Sequence, residues 1–140
     1  MGNTGLGKTH LTLAVAAEII DKGFIPVYGA AENLFSLIEK EKFSGENRGA
    51  YDAMIKSDLL IIDDLGAEMA TAFTKSALYN LINTRLLSGR PTIINTNLTM
   101  KEIEARYTAR ISSRLIGNFE AYKFIGADIR QQKALEKIGK

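Results

Sequence analysis

The 140 residues are enough for one domain and too few for two. With 46% hydrophobic and 24% charged residues, the chain has the balance of a globular domain rather than a disordered or fibrous one. No apolar stretch is long enough to cross a bilayer, and with no cysteine and a single histidine, His10, disulfides, thiol chemistry, cysteine-ligated zinc and multi-histidine metal sites are excluded. Residues 1–5 lack the basic start and apolar stretch of a signal peptide, and the absence of cysteine fits a reducing cytoplasm, the expected location.

In chain order, Lys8 to Lys22 places Leu11, Ala14, Val15, Glu18 and Ile19 at three- and four-residue spacing, a helix stopped by Gly23. Ile25–Tyr28 reads as a short strand, with Pro26 pointing to an edge position. A helix follows over 31–42 around Leu34, Leu37 and Ile38, then a polar loop over 43–50 and a short helix over 51–57. Leu59–Ile62 is a strand apolar on both faces, the mark of a buried parallel sheet. Thr74–Leu87 is helical and ends at Ser88-Gly89-Arg90-Pro91. Thr92–Thr96 is a third strand, Thr99 caps a helix through Arg106 with Glu102 as its capping-box partner, and 108–116 is helical. Ala121–Ile125 reads as a fourth strand, followed by a charged helical tail from about Ile129. Strand–helix alternation at this spacing predicts an α/β fold, a parallel sheet with helices on both faces.

The net charge of +2 is unevenly spread. Residues 1–100 hold nine Lys/Arg against eleven Asp/Glu, and residues 101–140 hold nine against five. The basic third suits either a solvated helical face or a surface for nucleic acid or phosphates.

Four segments carry chemistry. Gly2-Asn3-Thr4-Gly5-Leu6-Gly7-Lys8-Thr9 fits G-x-x-x-x-G-K-[ST] and feeds a helix N-terminus. Glycines let backbone N–H groups turn inward around phosphate oxygens, and the helix dipole favours the anion. Lys8 would reach the β- and γ-phosphates and the Thr9 hydroxyl would ligate Mg²⁺. In Leu59-Leu60-Ile61-Ile62-Asp63-Asp64, four apolar residues bring two carboxylates to the C-terminal end of a strand, where open α/β sheets bind ligands. Asp63 would hold Mg²⁺ through water, and Asp64 would orient or deprotonate the attacking water. The third strand ends in Asn95-Thr96-Asn97, with Asn97 as the contact to γ-phosphate or water, Asn95 as its rival and Thr96 as a helper. Arg110 and Arg114, at i and i+4, share a helix face and suit an arginine supplied across an interface. On that helix Ser112, Ser113 and Arg114 are expected outside, and Ile111, Leu115 and Ile116 inside. Arg130 is a further candidate for a γ-phosphate contact.

Taken in order, these segments resemble the AAA+ ATPases, and more narrowly the ATPase domain of the bacterial DnaC/DnaI helicase loaders. The resemblance covers almost all 140 residues. It rests on Gly2–Thr9 with His10-Leu11, on Leu60–Gly66, on Pro91–Leu98 and on Arg110–Arg114. It implies a P-loop NTPase sandwich with sheet order 5-1-4-3-2. Gly2, Asn3, Thr4, Gly5, Leu6, Gly7, Lys8, Thr9 and His10 become the Walker A nucleotide loop, and Asp63 and Asp64 Walker B. Asn97 becomes sensor 1, Arg114 an arginine finger acting on a neighbouring copy, and Arg130 a sensor 2 arginine. ATP or ADP with Mg²⁺ is the implied ligand, and hydrolysis the implied activity. The implied partners are the replicative helicase, single-stranded DNA and further copies of the chain through the Arg114 face.

The chain departs from the broad AAA+ pattern at Asp64, where Glu is usual. It starts at the nucleotide loop, so the expectation is a fragment lacking the central strand and the loaders' N-terminal helicase-binding domain. Two other readings stand beside the loader. An IstB-like transposition helper ATPase shares nearly every motif, although Asn3-Thr4 replaces the Pro-Pro more frequent there. A small-molecule phosphotransferase would use the same loop but gives Asn97, Arg110 and Arg114 no ready role.

Overall fold

The computed structural model describes residues 8–45 and 49–119. The predicted loop residues 2–7, the fourth strand at 121–125 and Arg130 lie outside the described residues. The elements in order are α1 (Lys8–Asp21), β1 (Pro26–Ala30), α2 (Ala31–Ser44), α3 (Gly49–Lys56), β2 (Leu59–Leu65), α4 (Ala72–Leu87), β3 (Thr92–Thr96), α5 (Met100–Arg106) and α6 (Ala109–Asn118). The three strands form a parallel sheet in the order β1-β2-β3. Among the described residues β3 therefore pairs with β2 alone, and Pro26 opens the edge strand β1, where its missing N–H does no harm.

Because side chains alternate along a strand, the sheet separates two apolar layers. Leu59 and Ile61 of β2 pack with Ala16 and Ile19 of α1 and Ile93 of β3. Leu60, Ile62 and Leu65 point the other way, into a larger core with Leu34, Phe35 and Ile38 of α2, Met54 of α3, Leu78, Leu81 and Ile82 of α4, and Ile103, Ile111 and Leu115 of α5 and α6. Leu60, Ile61 and Ile62 are fully buried, each contributing about 1.5–3 kcal/mol. Helices thus cover both faces, as the pattern predicts.

Helix ends follow the local chemistry. The Gly23 N–H bonds Ile20 O at 2.9 Å with φ at +88°, closing α1 in a left-handed turn. Thr99 and Glu102 form the predicted capping box at α5, and Thr71 and Thr108 cap α4 and α6. α2 runs on to Ser44, so the predicted loop is shorter. Its Glu41 carboxylate accepts the backbone N–H groups of Ala50 and Tyr51 at 2.7 and 3.1 Å and so caps α3 from outside.

The other end of α3 is held by Arg85 of α4, whose side chain is 1% exposed. Its Nη1 donates to the carbonyls of Met54, Ile55 and Ser57 at 2.6–3.0 Å, its Nη2 to Pro91 O at 2.7 Å, and its Nε to Thr92 Oγ1 at 2.8 Å. Burial pushes its pKa down to about 10. The cation faces carbonyl oxygens at a helix C-terminus, the end that favours positive charge.

Candidate nucleotide-binding site

Among the described residues, Asp63, Asp64, Asn95 and Asn97 lie at the C-terminal ends of β2 and β3. β2 continues beyond the apolar run through Asp63, Asp64 and Leu65. Register shows why this is possible. Ile62 pairs with Ile94 and Leu65 with Thr96, so β2 advances three residues while β3 advances two. This bulge places Asp63 and Asp64 opposite Asn95, and Asp64 takes up the extra residue with φ at +55°. Leu65 is thereby returned to the large core and the Asp64 side chain is turned out to solvent.

Asp63 remains in phase with Ile61 and faces α1. Its Oδ1 accepts from Asn95 Nδ2 at 3.2 Å and from the Asp64 N–H at 3.0 Å, and its Oδ2 accepts from Tyr28 Oη at 2.6 Å. An ionised carboxylate is acceptor-only, which matches three donors aimed at it. Asn95 Nδ2 also lies 3.1 Å from Thr12 Oγ1 on α1. Thr12 follows Lys8 and Thr9 by one helical turn, so the start of α1 meets the acidic end of β2 through two hydrogen bonds. These donors hold the Asp63 carboxylate in one orientation at the strand end.

The sequence reading set Asn95 and Asn97 as rivals. The structure separates their positions: Asn95 is buried in the Thr12–Asp63 bridge, whereas Asn97 is exposed just past the end of β3. Thr96 serves the backbone, donating to Leu65 O at 2.6 Å and accepting from the Leu98 N–H at 3.1 Å. The turn after β2 is tied further. Gly66 N–H donates to Glu68 Oε1 at 2.9 Å, and Tyr107 Oη donates to Glu68 Oε2. Burial, and then Glu68, push the Tyr107 phenol well above its ordinary pKa.

Arg110 and Arg114 do share one exposed face of α6 and meet on Tyr79 of α4. The Arg110 guanidinium lies 4.2 Å from the ring centroid, and Arg114 Nη2 is 3.5 Å from Tyr79 Oη. Two neighbours on this helix depart from expectation. Ser112 is buried and bonds Ala109 O at 3.4 Å, while Ile116 is 65% exposed. The buried stripe is Ile111, Ser112 and Leu115, spaced to sit over α4, and position 116 rotates past it.

Tyr28, Thr12, Tyr79 and the Glu68–Tyr107 pair were not anticipated from sequence. For Tyr28 a signal exists. Tyr28 is in register with Ile61, and Ala30 with Asp63, so Tyr28 lies diagonally beside Asp63 on one face.

The replicative helicase loader DnaC of Escherichia coli K12 is 28% identical over 123 residues, covering 84% of this chain and 49% of that protein. The chain thus spans about half the length of the curated relatives it matches. A crystal structure of the DnaC helicase loader superposes with a TM-score of 0.78 at 23% identity, covering 85% of this chain and 72% of that one. The crystal structure of DnaI does so with a TM-score of 0.76 at 25% identity, covering 92% and 70%. The fold is therefore that of the AAA+ P-loop domains. The model of the IstB-like ATP binding proteins matches residues 1–134, and the chain belongs to that family.

Proposed function

We propose that the chain is a nucleotide-driven AAA+ module that binds ATP at the Gly2–Thr9 loop and hydrolyses it at the junction of two copies. The observation that carries this reading is the Thr12–Asn95–Asp63 bridge, which joins the helix after the loop to the acidic strand end. In this reading Gly2, Asn3, Thr4, Gly5, Leu6 and Gly7 cradle the phosphates with backbone N–H groups, and Lys8 neutralises the β- and γ-oxygens. His10 and Arg130 border the nucleotide. Thr9 and Asp63 would hold Mg²⁺, which would neutralise charge on the phosphate oxygens. Asp64 accepts a proton from the attacking water, and Asn97 orients that water or the γ-phosphate. Water attacks the γ-phosphorus, the bond to the β–γ bridging oxygen breaks, and ADP and phosphate leave. Arg114 of a neighbouring copy meets the charge developing on the transferred group.

The work done with this energy is read as loading of a replicative helicase onto single-stranded DNA in the cytoplasm. Its support is the name of the Escherichia coli relative and the basic residues 101–140. DNA binding would then weaken steeply with salt. The family match favours a second reading, a transposition helper acting on transposase–DNA complexes. Stimulation of hydrolysis by a replicative helicase or by a transposase–DNA complex separates the two.

Calorimetry and a mixing assay test the nucleotide site. Lys8→Ala should lose measurable ATP–Mg²⁺ binding, a loss of about 2–5 kcal/mol. Arg114→Ala should keep ATP affinity and lose hydrolysis by about 10³–10⁵. Mixed together, the two variants should recover activity that neither has alone. Unchanged affinity in Lys8→Ala would overturn the pocket, and no recovery between folded, associating variants would overturn action in trans.

A further inference from the structure

Two guanidiniums at i and i+4 on one helix face repel each other. Among the described residues neither Arg110 nor Arg114 pairs with a carboxylate, the recorded ion pair being Lys22–Glu18. Both are exposed. One phenol on another helix engages both instead. The negative face of the Tyr79 ring lies under Arg110 at 4.2 Å, and the Tyr79 oxygen meets Arg114 Nη2 at 3.5 Å. The hydrogen bonds from Arg114 and then Arg110 lower the phenol's pKa below its ordinary value.

The platform is fixed on both sides. Leu78, Leu81 and Ile82 anchor α4 next to Tyr79, and Ile111 and Leu115 anchor α6 beneath the arginines. An exposed arginine carries large rotamer freedom, and an anion that must order it binds more weakly. Tyr79 uses one ring face and one acceptor oxygen, which leaves most of the ten guanidinium N–H donors for a ligand. A ligand that matches two clustered guanidiniums is a phosphate group with several anionic oxygens.

We propose that Tyr79 is a positioning residue that holds Arg110 and Arg114 as one preformed pair for the terminal phosphate of a nucleotide bound by a second copy of the chain. This rests on the trans reading of Arg114 given above.

The test is ATP hydrolysis by mixtures of the full chain. One component carries Lys8→Ala and contributes only its arginine face, and the other carries Arg114→Ala and contributes only its nucleotide site. Tyr79→Ala added to the Lys8→Ala component should lower the recovered kcat about tenfold, as expected for losing a cation–π contact and a hydrogen bond together. KM for ATP and the unfolding midpoint should stay unchanged. Added to the Arg114→Ala component, it should have no further effect. Tyr79→Phe, which keeps the ring and loses the oxygen, should lower kcat about 2–5-fold from the arginine side. In the single chain, the Tyr79 titration followed by NMR should move upward in Arg114→Ala.

Full activity with Tyr79→Ala on the arginine side, while Arg114→Ala still abolishes hydrolysis, would overturn the role of Tyr79 and leave that of Arg114 intact. Equal losses from both sides would mark a purely structural residue and overturn it too. Mixtures of Lys8→Ala and Arg114→Ala that never recover activity would overturn the trans reading itself. Should Tyr79→Ala lower the unfolding midpoint, Tyr79→Phe decides: a loss confined to the arginine side supports the proposal, and no loss overturns it.

Discussion

Asn95 serves two partners on different elements with one amide nitrogen: Nδ2 lies 3.1 Å from Thr12 Oγ1 on α1 and 3.2 Å from Asp63 Oδ1 on β2. The three residues come from three elements and meet because Ile61, Asp63, Ile93 and Asn95 all fall on the sheet face that α1 covers. Substitution at Asn95 therefore reaches the position of the acid and the seating of the helix together.

Asn95→Ala removes a donor from both partners in a buried setting, with an expected cost of about 1–3 kcal/mol in denaturant unfolding. Asn95→Asp is expected to be worse at neutral pH, since it sets a second carboxylate against Asp63. An Asp variant as stable as the wild type would show that the contact with Asp63 carries little energy.

Gly66 has φ at +110°, and a Cβ built there would sit 2.8 Å from Leu98 Cδ1. Gly66→Ala adds backbone strain to an overlap and should destabilise by about 1–3 kcal/mol. At Gly23, φ is +88° with nothing within 4 Å, so Gly23→Ala carries the strain alone and should cost less. Combining Gly66→Ala with Leu98→Ala should relieve part of the first penalty, which a double-mutant cycle in urea measures.

Arg85→Met should cost about 3–5 kcal/mol in urea unfolding, because it leaves several buried carbonyls at the end of α3 without their donor. Arg85→Lys retains the charge but cannot span Met54 O, Pro91 O and Thr92 Oγ1 at once, so its loss should be intermediate. A lysine variant equal to wild type would mean that charge, rather than the fork, holds this end of the sheet.

Tyr107 and Arg85 act oppositely in alkali. The folded pKa of Tyr107 is raised, so its contribution is complete below the unfolded value of 10.0 and is lost as pH rises above it. The folded pKa of Arg85 is lowered to about 10, so between that value and the ordinary arginine range the unfolded chain binds more protons there and this group's contribution grows with pH. Tyr107→Phe should therefore flatten the alkaline fall in stability above pH 10. A fall as steep as the wild type's would place its origin elsewhere.

Much of this arrangement is legible in the sequence. The apolar run Leu59–Ile62 announces a strand buried on both faces, and the Thr99–Glu102 pair announces its capping box, because both signals are local. What escapes depends on partners far along the chain. Asp63 and Asp64 look like the end of β2, yet ladder pairing carries the strand on to Leu65 through a bulge. Arg85 stands in the last turn of α4 and is buried because the end of α3, far back along the chain, lies against it. Ser112 and Ile116 exchange their expected sides because the position of α4, rather than the polarity of either residue, decides which stripe is covered.

The bulge at Asp64 places two separate demands on one position. Its φ of +55° lies where, after glycine, Asp and Asn are the residues most at ease. The proposed proton acceptance asks for a carboxylate. Asp satisfies the chain path and the chemistry together, Glu only the chemistry, and Asn only the chain path. Asp64→Asn thus isolates the charge at constant geometry, whereas Asp64→Glu keeps the charge and strains the turn, so comparing the two partitions the position between folding and reaction.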